Sequence, residues 1–90
     1  MASYSRDLCI IQCTETTSRV GIRKQVLSSF LRGTMCFQFR LQYGNRMFED
    51  RVALPKDADE KCALEMADEQ FDAFTETIAR LSARLPMIPA

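Results

Sequence analysis

The residues of this sequence best suited to binding chemistry are the basic side chains of its first half. Arg19 and Arg23 lie four positions apart, and Lys24 follows directly. Four positions bring two side chains to one face in either a helix or a strand. Guanidinium groups bind phosphate or carboxylate through paired hydrogen bonds. The predicted basic set comprises Arg19, Arg23, Lys24, Arg32, Arg40 and Arg46, and a scattered group of solubilising charges is the alternative interpretation.

Carboxylates are concentrated in the second half of the chain and form a second candidate site. Eight of them lie in a predicted charged loop and the elements after it: Asp57, Asp59, Glu60, Glu65, Asp68, Glu69, Asp72 and Glu76. Together these eight could imitate a nucleic acid and occupy a basic groove. The last four, which we call the acidic set, are the candidate site residues. The dipole of a helix that begins near Asp68 would account for part of this charge without any partner. The formal net charge of the chain is zero, so the two halves could also neutralise each other.

Parts for catalysis are lacking in the sequence. There is no histidine, the commonest general acid or base, and the three glycines do not form a phosphate loop. The four cysteines, Cys9, Cys13, Cys36 and Cys62, have no zinc-knuckle spacing and are expected to be reduced, buried thiols in strands. We therefore expect no enzymatic activity, no cofactor, no metal and no small-molecule substrate.

The clearest structural pattern is a β-hairpin between positions 35 and 54. Met35–Tyr43 alternates apolar and polar residues, and Gly44-Asn45 suits a two-residue loop because glycine accepts a positive φ. The predicted register sets apolar residues opposite each other and charged or polar residues opposite each other: Leu41 with Phe48, Phe37 with Val52, Met35 with Leu54, Arg40 with Glu49 and Gln38 with Arg51. Asp50 is the exception, because it falls on the apolar side opposite Phe39.

The other elements follow from weaker patterns. Tyr4–Cys13 reads as a central strand, because Leu8–Ile11 is apolar on both faces. Residues 19–23 are predicted to be extended or irregular, since a helix there would place two arginines within an apolar stripe. A short helix is then expected over Lys24–Arg32, with Gly33 as its left-handed cap.

The C-terminal part is predicted to contain one more strand and a long helix. Cys62, Leu64 and Met66 alternate and indicate a short strand. A helix from Asp68 to Pro86 would present one apolar stripe to the sheet, made of Phe71, Phe74, Ile78, Leu81 and Leu85. The expected architecture is one α+β domain over residues 1–90. It has a four- or five-stranded, mainly antiparallel sheet, with a short central helix and a long C-terminal helix packed on one face.

Two resemblances accompany this pattern. The stretch from Met35 through the hairpin, a strand at Ala63–Met66 and Ala67–Phe71 opening a helix resembles the sheet-and-helix half of the transcriptional coactivators that bind single-stranded DNA. That resemblance implies binding of nucleic acid. In length, class and mixed surface charge, the chain is also similar to small phage-encoded inhibitors of the anti-CRISPR type. This second resemblance implies an inhibitor but assigns no site residue, since those families share no motif.

The leading functional hypothesis is a non-enzymatic binding protein encoded by a phage or mobile element. It would block a host protein or ribonucleoprotein complex by steric competition through the basic set. One alternative is a small accessory or regulatory protein that binds nucleic acid. Another is a structural subunit that self-assembles through the helix stripe and the apolar segment Met87–Pro89. With no secretory signal pattern and no apolar stretch of membrane-spanning length, we expect a cytoplasmic location without membrane contact.

Overall fold

The computed structural model describes residues 8–84, which form three strands and two helices. In chain order these are β1 (Leu8–Thr14), α1 (Arg19–Leu31), β2 (Cys36–Tyr43), β3 (Arg46–Ala53) and α2 (Glu60–Arg84). The strands form one sheet in the order β1-β2-β3. The α+β class and the long C-terminal helix are therefore confirmed. The N-terminal part of the predicted first strand, the stripe residue Leu85, Pro86 and the Met87–Pro89 segment lie outside the described residues.

The sheet differs from the prediction in size, direction and order. Among residues 8–84 it has three strands, not four or five, and it is mixed, because β1 runs parallel to β2 while β3 runs antiparallel. The helix α1 causes the parallel pairing, since it carries the chain back to the end of the sheet where β1 began. The central strand is β2, whereas β1 lies at an edge. The apolar run Leu8–Ile11 of β1 is not buried on both faces of the sheet, because Ile10 is 44% exposed.

The hairpin has the predicted register at every pair of β2 and β3, including Leu41 with Phe48 and Arg40 with Glu49. Its loop residue Gly44 has a φ of 62°, and no residue other than glycine has a positive φ among those described. Asp50 does lie opposite Phe39. It is exposed at the margin of the sheet, where its Oδ2 accepts a hydrogen bond of 3.0 Å from Gln70 Nε2.

The first helix begins at Arg19, so the prediction of an extended segment over residues 19–23 is wrong. Ser18 caps the helix by accepting a hydrogen bond of 3.0 Å from the Gly21 N–H. The buried positions are Ile22, Val26 and Ser29, which leaves the arginines beside the apolar stripe instead of within it. The predicted end is confirmed. Gly33 has a φ of 101°, and the N–H groups of residues 33 and 34 donate to the carbonyls of residues 30 and 29, the pattern of a Schellman cap.

The second helix begins at Glu60, so the predicted strand over Cys62–Met66 is wrong. Asp59 caps the helix by accepting a hydrogen bond of 3.0 Å from the Cys62 N–H. The buried residues of this first part are Ala63, Met66 and Ala67, which share one face at helical spacing. The strand was predicted from Cys62, Leu64 and Met66 alone, whereas the helix also buries Ala63 and Ala67. The resemblance to single-stranded-DNA-binding coactivators loses the strand on which part of it rested.

Both helices pack on the same face of the sheet, as predicted, and enclose the core. The core consists of Ile11, Cys13, Ile22, Val26, Phe37, Phe39, Leu41, Ala63, Met66, Ala67 and Phe74. Phe39 and Phe74 make an edge-to-face aromatic contact with ring centroids 6.0 Å apart. No helix among the described residues covers the other side of the sheet. We call this side the open face, and its residues include Ile10, Gln12, Gln38, Arg40, Met47, Glu49 and Arg51.

Candidate functional site

The structure brings the first two residues of the basic set against the acidic set. Arg19 lies over the helix–helix contact, where its Nη2 donates to Asp72 Oδ1 at 2.9 Å and its Nη1 to Asp68 Oδ1 at 3.3 Å. The bond to Asp72, assisted by that to Asp68, raises the pKa of Arg19 above its ordinary value. Arg23 Nε lies 3.6 Å from Asp68 Oδ1, an ion-pair distance that is too long for a hydrogen bond. These pairs join α1 to α2.

Two more residues of the basic set lie elsewhere on the molecule. Arg40 is on the open face, where its Nε forms an ion pair with Glu49 Oε2 at 2.9 Å. The Arg40 N–H group is not directed at this oxygen, so the pair is not a hydrogen bond. Arg46 follows the hairpin loop, and its guanidinium carbon lies 5.9 Å from the centroid of the Phe48 ring. The six basic residues therefore do not form one continuous face.

Lys24, on the exposed side of α1, and Arg32, the residue that caps the C-terminal end of this helix, remain together. They are separated by two turns of helix, with Gln25 and Ser28 between them, and all four side chains are exposed. Arg32 Nη2 contacts Ser28 Oγ at 3.5 Å. Neither cation forms a salt bridge with any carboxylate of residues 8–84. We call these four residues, Lys24, Gln25, Ser28 and Arg32, the α1 strip.

The α1 strip forms one wall of a shallow groove of about 370 Å³ between α1 and β1. Cys9 and Ser29 also line the groove, and the Cys9 Sγ and Ser29 Oγ atoms are 3.1 Å apart. Positive groups on the helix thus lie beside neutral polar groups near the edge of the sheet. The sequence predicted neither a role for Gln25 and Ser28 nor the groove. Lys24, Ser28 and Arg32 are spaced by four residues, which indicates a shared face if the segment is helical. Since a helix was predicted over Lys24–Arg32, this spacing could have identified the shared face.

The acidic set is also distributed among partners. Asp68 and Asp72 face Arg19, while Glu76 Oε2 accepts a hydrogen bond of 3.2 Å from Arg80 Nη2. Glu69 is the one member of the acidic set that forms no salt bridge with any described residue. The alternative interpretation, in which the two halves of the chain neutralise each other, thus describes Arg19, Arg23 and Arg40.

The cysteines occupy different environments. Cys13 is buried in the core, and this burial raises the pKa of its thiol to about 11, which disfavours the reactive thiolate. Cys9, Cys36 and Cys62 are half-buried free thiols. Cys62 lies on α2, so the prediction that all four are strand residues is wrong for this one. Within residues 8–84, no three Cys, Asp or Glu side chains are grouped closely enough to hold a metal ion.

A second concavity, a cleft of about 150 Å³, lies where β1 ends against α2. Its lining consists of Cys13, Thr14, Glu15, Thr17, Ile22, Phe71, Phe74, Thr75 and Ile78. Small-molecule sites usually enclose about 300–1,000 Å³, so this cleft is smaller than an ordinary ligand pocket.

Comparison with protein-family models, curated proteins and solved structures finds no match for this chain. In the part of the chain that the structure describes, neither helix is both long and apolar enough to cross a membrane.

Proposed function

We propose that this chain is a non-enzymatic binding protein that uses the α1 strip to contact an acidic surface of a partner protein. The observation that carries this proposal is that some residues of the basic set pair with carboxylates within the fold and others do not. Arg19, Arg23 and Arg40 have carboxylate neighbours within the fold, whereas Lys24, Arg32 and Arg46 have none among residues 8–84. Of these three, Lys24 and Arg32 lie near each other beside one groove, while Arg46 lies apart on β3. Two exposed cations that have no carboxylate partner in the described part of the chain are available to an external anion.

The spacing of the cations favours a protein over a nucleic acid as the partner. Lys24 and Arg32 lie about 12 Å apart along the helix, from a rise of about 1.5 Å per residue. Proteins that bind a nucleic-acid backbone neutralise several phosphates in a row, while the α1 strip supplies two charges flanking neutral side chains. A small number of well-separated carboxylates on a protein is the better match for this arrangement.

The role we propose for this binding is inhibition by steric competition. A bound chain would obstruct a surface of a larger cytoplasmic protein or ribonucleoprotein complex, as small phage-encoded inhibitors of the anti-CRISPR type do. If the target is a CRISPR complex, expression of the chain should protect a targeted plasmid from interference. Charge reversal in the α1 strip should remove that protection.

The binding proposal is tested by reversing both cations of the α1 strip. The Lys24→Glu, Arg32→Glu variant is compared with the Lys56→Glu, Lys61→Glu variant, which has the same net charge and alters exposed lysines elsewhere. Fluorescence anisotropy measures binding of a labelled oligoglutamate peptide at an ionic strength of about 0.15 M. We expect the first variant to bind at least about tenfold more weakly, since a hydrogen bond to a charged group contributes about 1.5–3 kcal/mol. The control should bind like the wild type.

A labelled single-stranded DNA oligonucleotide is the second probe in this experiment. If the DNA binds and the peptide does not, the alternative of a nucleic-acid-binding regulator is supported instead. The logarithm of the DNA affinity should then fall linearly with the logarithm of the salt concentration, with a slope of about −0.7 per phosphate contact. If the α1-strip variant binds the peptide as tightly as the wild type does, the proposed function is wrong.

A further inference from the structure

The edge of β1 differs from the other edge of the sheet in its chemistry. Among the described residues, β1 pairs only with β2, so one row of its backbone groups has no strand beside it. Its sequence, Leu-Cys-Ile-Ile-Gln-Cys-Thr, contains neither a charge nor a proline. The opposite edge strand, β3, carries Arg46, Glu49, Asp50 and Arg51. Charges on edge strands prevent unwanted pairing with other chains, and β1 lacks this protection.

This unprotected edge runs beside the groove of the α1 strip. A strand added to β1 would point alternate side chains toward the helix side of the sheet, where Lys24 and Arg32 lie, and the others toward the open face next to Ile10. Residues four positions apart in an extended chain are separated by about 13 Å. The two cations are about 12 Å apart along α1. One extended segment could therefore contact both cations with side chains at positions i and i+4.

We infer that the free edge of β1 binds an extended segment of a partner protein by strand addition. The segment carries acidic side chains four positions apart, which face Lys24 and Arg32, and apolar side chains at the alternate positions, which cover Ile10. Backbone hydrogen bonds supply affinity, and the two charged contacts fix the register. This inference rests on the proposed function and specifies the form of the partner.

Charge favours an acidic segment over a second copy of this chain. Antiparallel pairing of β1 with β1 of another copy would place both α1 helices on the same side of the joined sheet. Lys24 and Arg32 of one copy would then face the same cations of the other. Like charges at an interface disfavour association, whereas an acidic strand is complementary to the same surface.

The test uses three peptides of alternating glutamate and valine, with the full-length chain as the receptor. One peptide is unmodified, one is N-methylated on its glutamates, and one is N-methylated on its valines. A strand pairs with a single neighbour through the N–H groups of alternate residues. We expect one methylated peptide to bind about tenfold or more weakly than the unmodified one, because it loses several backbone hydrogen bonds. The other should bind like the unmodified peptide.

A matched pair of substitutions tests the location. Ile10→Glu and Met47→Glu place the same charge on exposed apolar positions of the open face, on β1 and β3 respectively. Ile10→Glu should weaken binding of the unmodified peptide about two- to fivefold, because a charged side chain replaces the apolar one that the valines of the peptide cover across the strand pair. Met47→Glu should leave the affinity unchanged. Circular dichroism checks that both variants fold.

The results separate this inference from the proposed function. If both methylated peptides bind equally while Lys24→Glu, Arg32→Glu abolishes binding, the α1 strip is a binding surface but strand addition is wrong. If none of the peptides binds, the oligoglutamate peptide included, both proposals are wrong. If sedimentation shows a dimer that Ile10→Glu dissociates, β1 pairs with a second copy, and the acidic segment is not its occupant.

Discussion

Asp59 is the residue that determines where α2 begins. Its Oδ1 accepts a hydrogen bond from the Cys62 N–H at 3.0 Å, and its carbonyl accepts one from the Ala63 N–H at 3.1 Å. The first bond, the largest cause, lowers the pKa of Asp59 below its ordinary value of 3.8. The same cap converts a segment with strand-like alternation into a helix, because it satisfies an N–H group that would otherwise have no partner in the first turn.

Replacing this cap should reduce stability in a pH-dependent way. Asp59→Ala should lower the melting temperature at pH values near neutrality. Since the pKa of Asp59 is lower in the folded state, its contribution is fully present above the pKa of the unfolded chain and is lost as the pH falls through the folded value. The difference between wild type and variant should therefore narrow below about pH 4.

Thermal unfolding followed by circular dichroism at several pH values checks this prediction. Asp59→Asn is the matched control, since asparagine also caps helices but does not titrate. It should lie closer to the wild type than Asp59→Ala does at neutral pH. A gap between wild type and Asp59→Ala that stays constant down to pH 3 would contradict the assigned role of the carboxylate.

The two helices are joined by the Arg19 and Arg23 pairs with Asp68 and Asp72, which makes these arginines structural. Reversing them, Arg19→Glu and Arg23→Glu, sets four carboxylates against each other across the α1–α2 contact. We expect a lower melting temperature, because like charges replace attractive pairs at the same distance. Adding Asp68→Arg and Asp72→Arg should restore part of the loss, and that recovery separates charge pairing from simple damage to the helices. High salt should reduce both effects.

The predictability of each element depended on where its partners lie in the sequence. The hairpin register could be predicted because Arg40 and Glu49, or Leu41 and Phe48, constrain each other over a short stretch. The start of α1 could not, since the residues that accommodate Arg19 lie 49 and 53 positions away. The same separation in sequence explains why the candidate site could be predicted only in part. The basic residue types of α1 were predicted, but which of these cations pair with a carboxylate of residues 8–84 depends on how α2 packs.

For the molecule as a whole, stability depends on the single core beneath the two helices. Phe74 is 9% exposed and contacts Phe39 of the central strand. Phe74→Ala should lower the free energy of unfolding by about 3–5 kcal/mol, as removal of a buried aromatic ring usually does. Domains of this size have about 5–10 kcal/mol in total, so the variant should be close to unfolding. Urea denaturation measures the loss.

The neighbouring exposed residue provides the control for this substitution. Thr75→Ala alters α2 without touching the core, and surface changes usually stay within about 0.5 kcal/mol. If Phe74→Ala unfolded at the same urea concentration as the wild type, the aromatic contact would not support the core.

The parallel pairing of β1 with β2 has a consequence for folding of the chain during its synthesis on the ribosome. Leu8 pairs with Cys36 and Cys13 with Leu41, so all of α1 and most of β2 must emerge before β1 has its neighbour. Synthesis proceeds at about 5–20 residues per second. During that interval the nascent chain displays an uncharged, β-prone segment, Leu8–Thr14, with two unpaired edges instead of one. The segment Leu8–Thr14 is thus the part of the described chain most in need of a chaperone, and after folding its second edge still has no partner strand among residues 8–84.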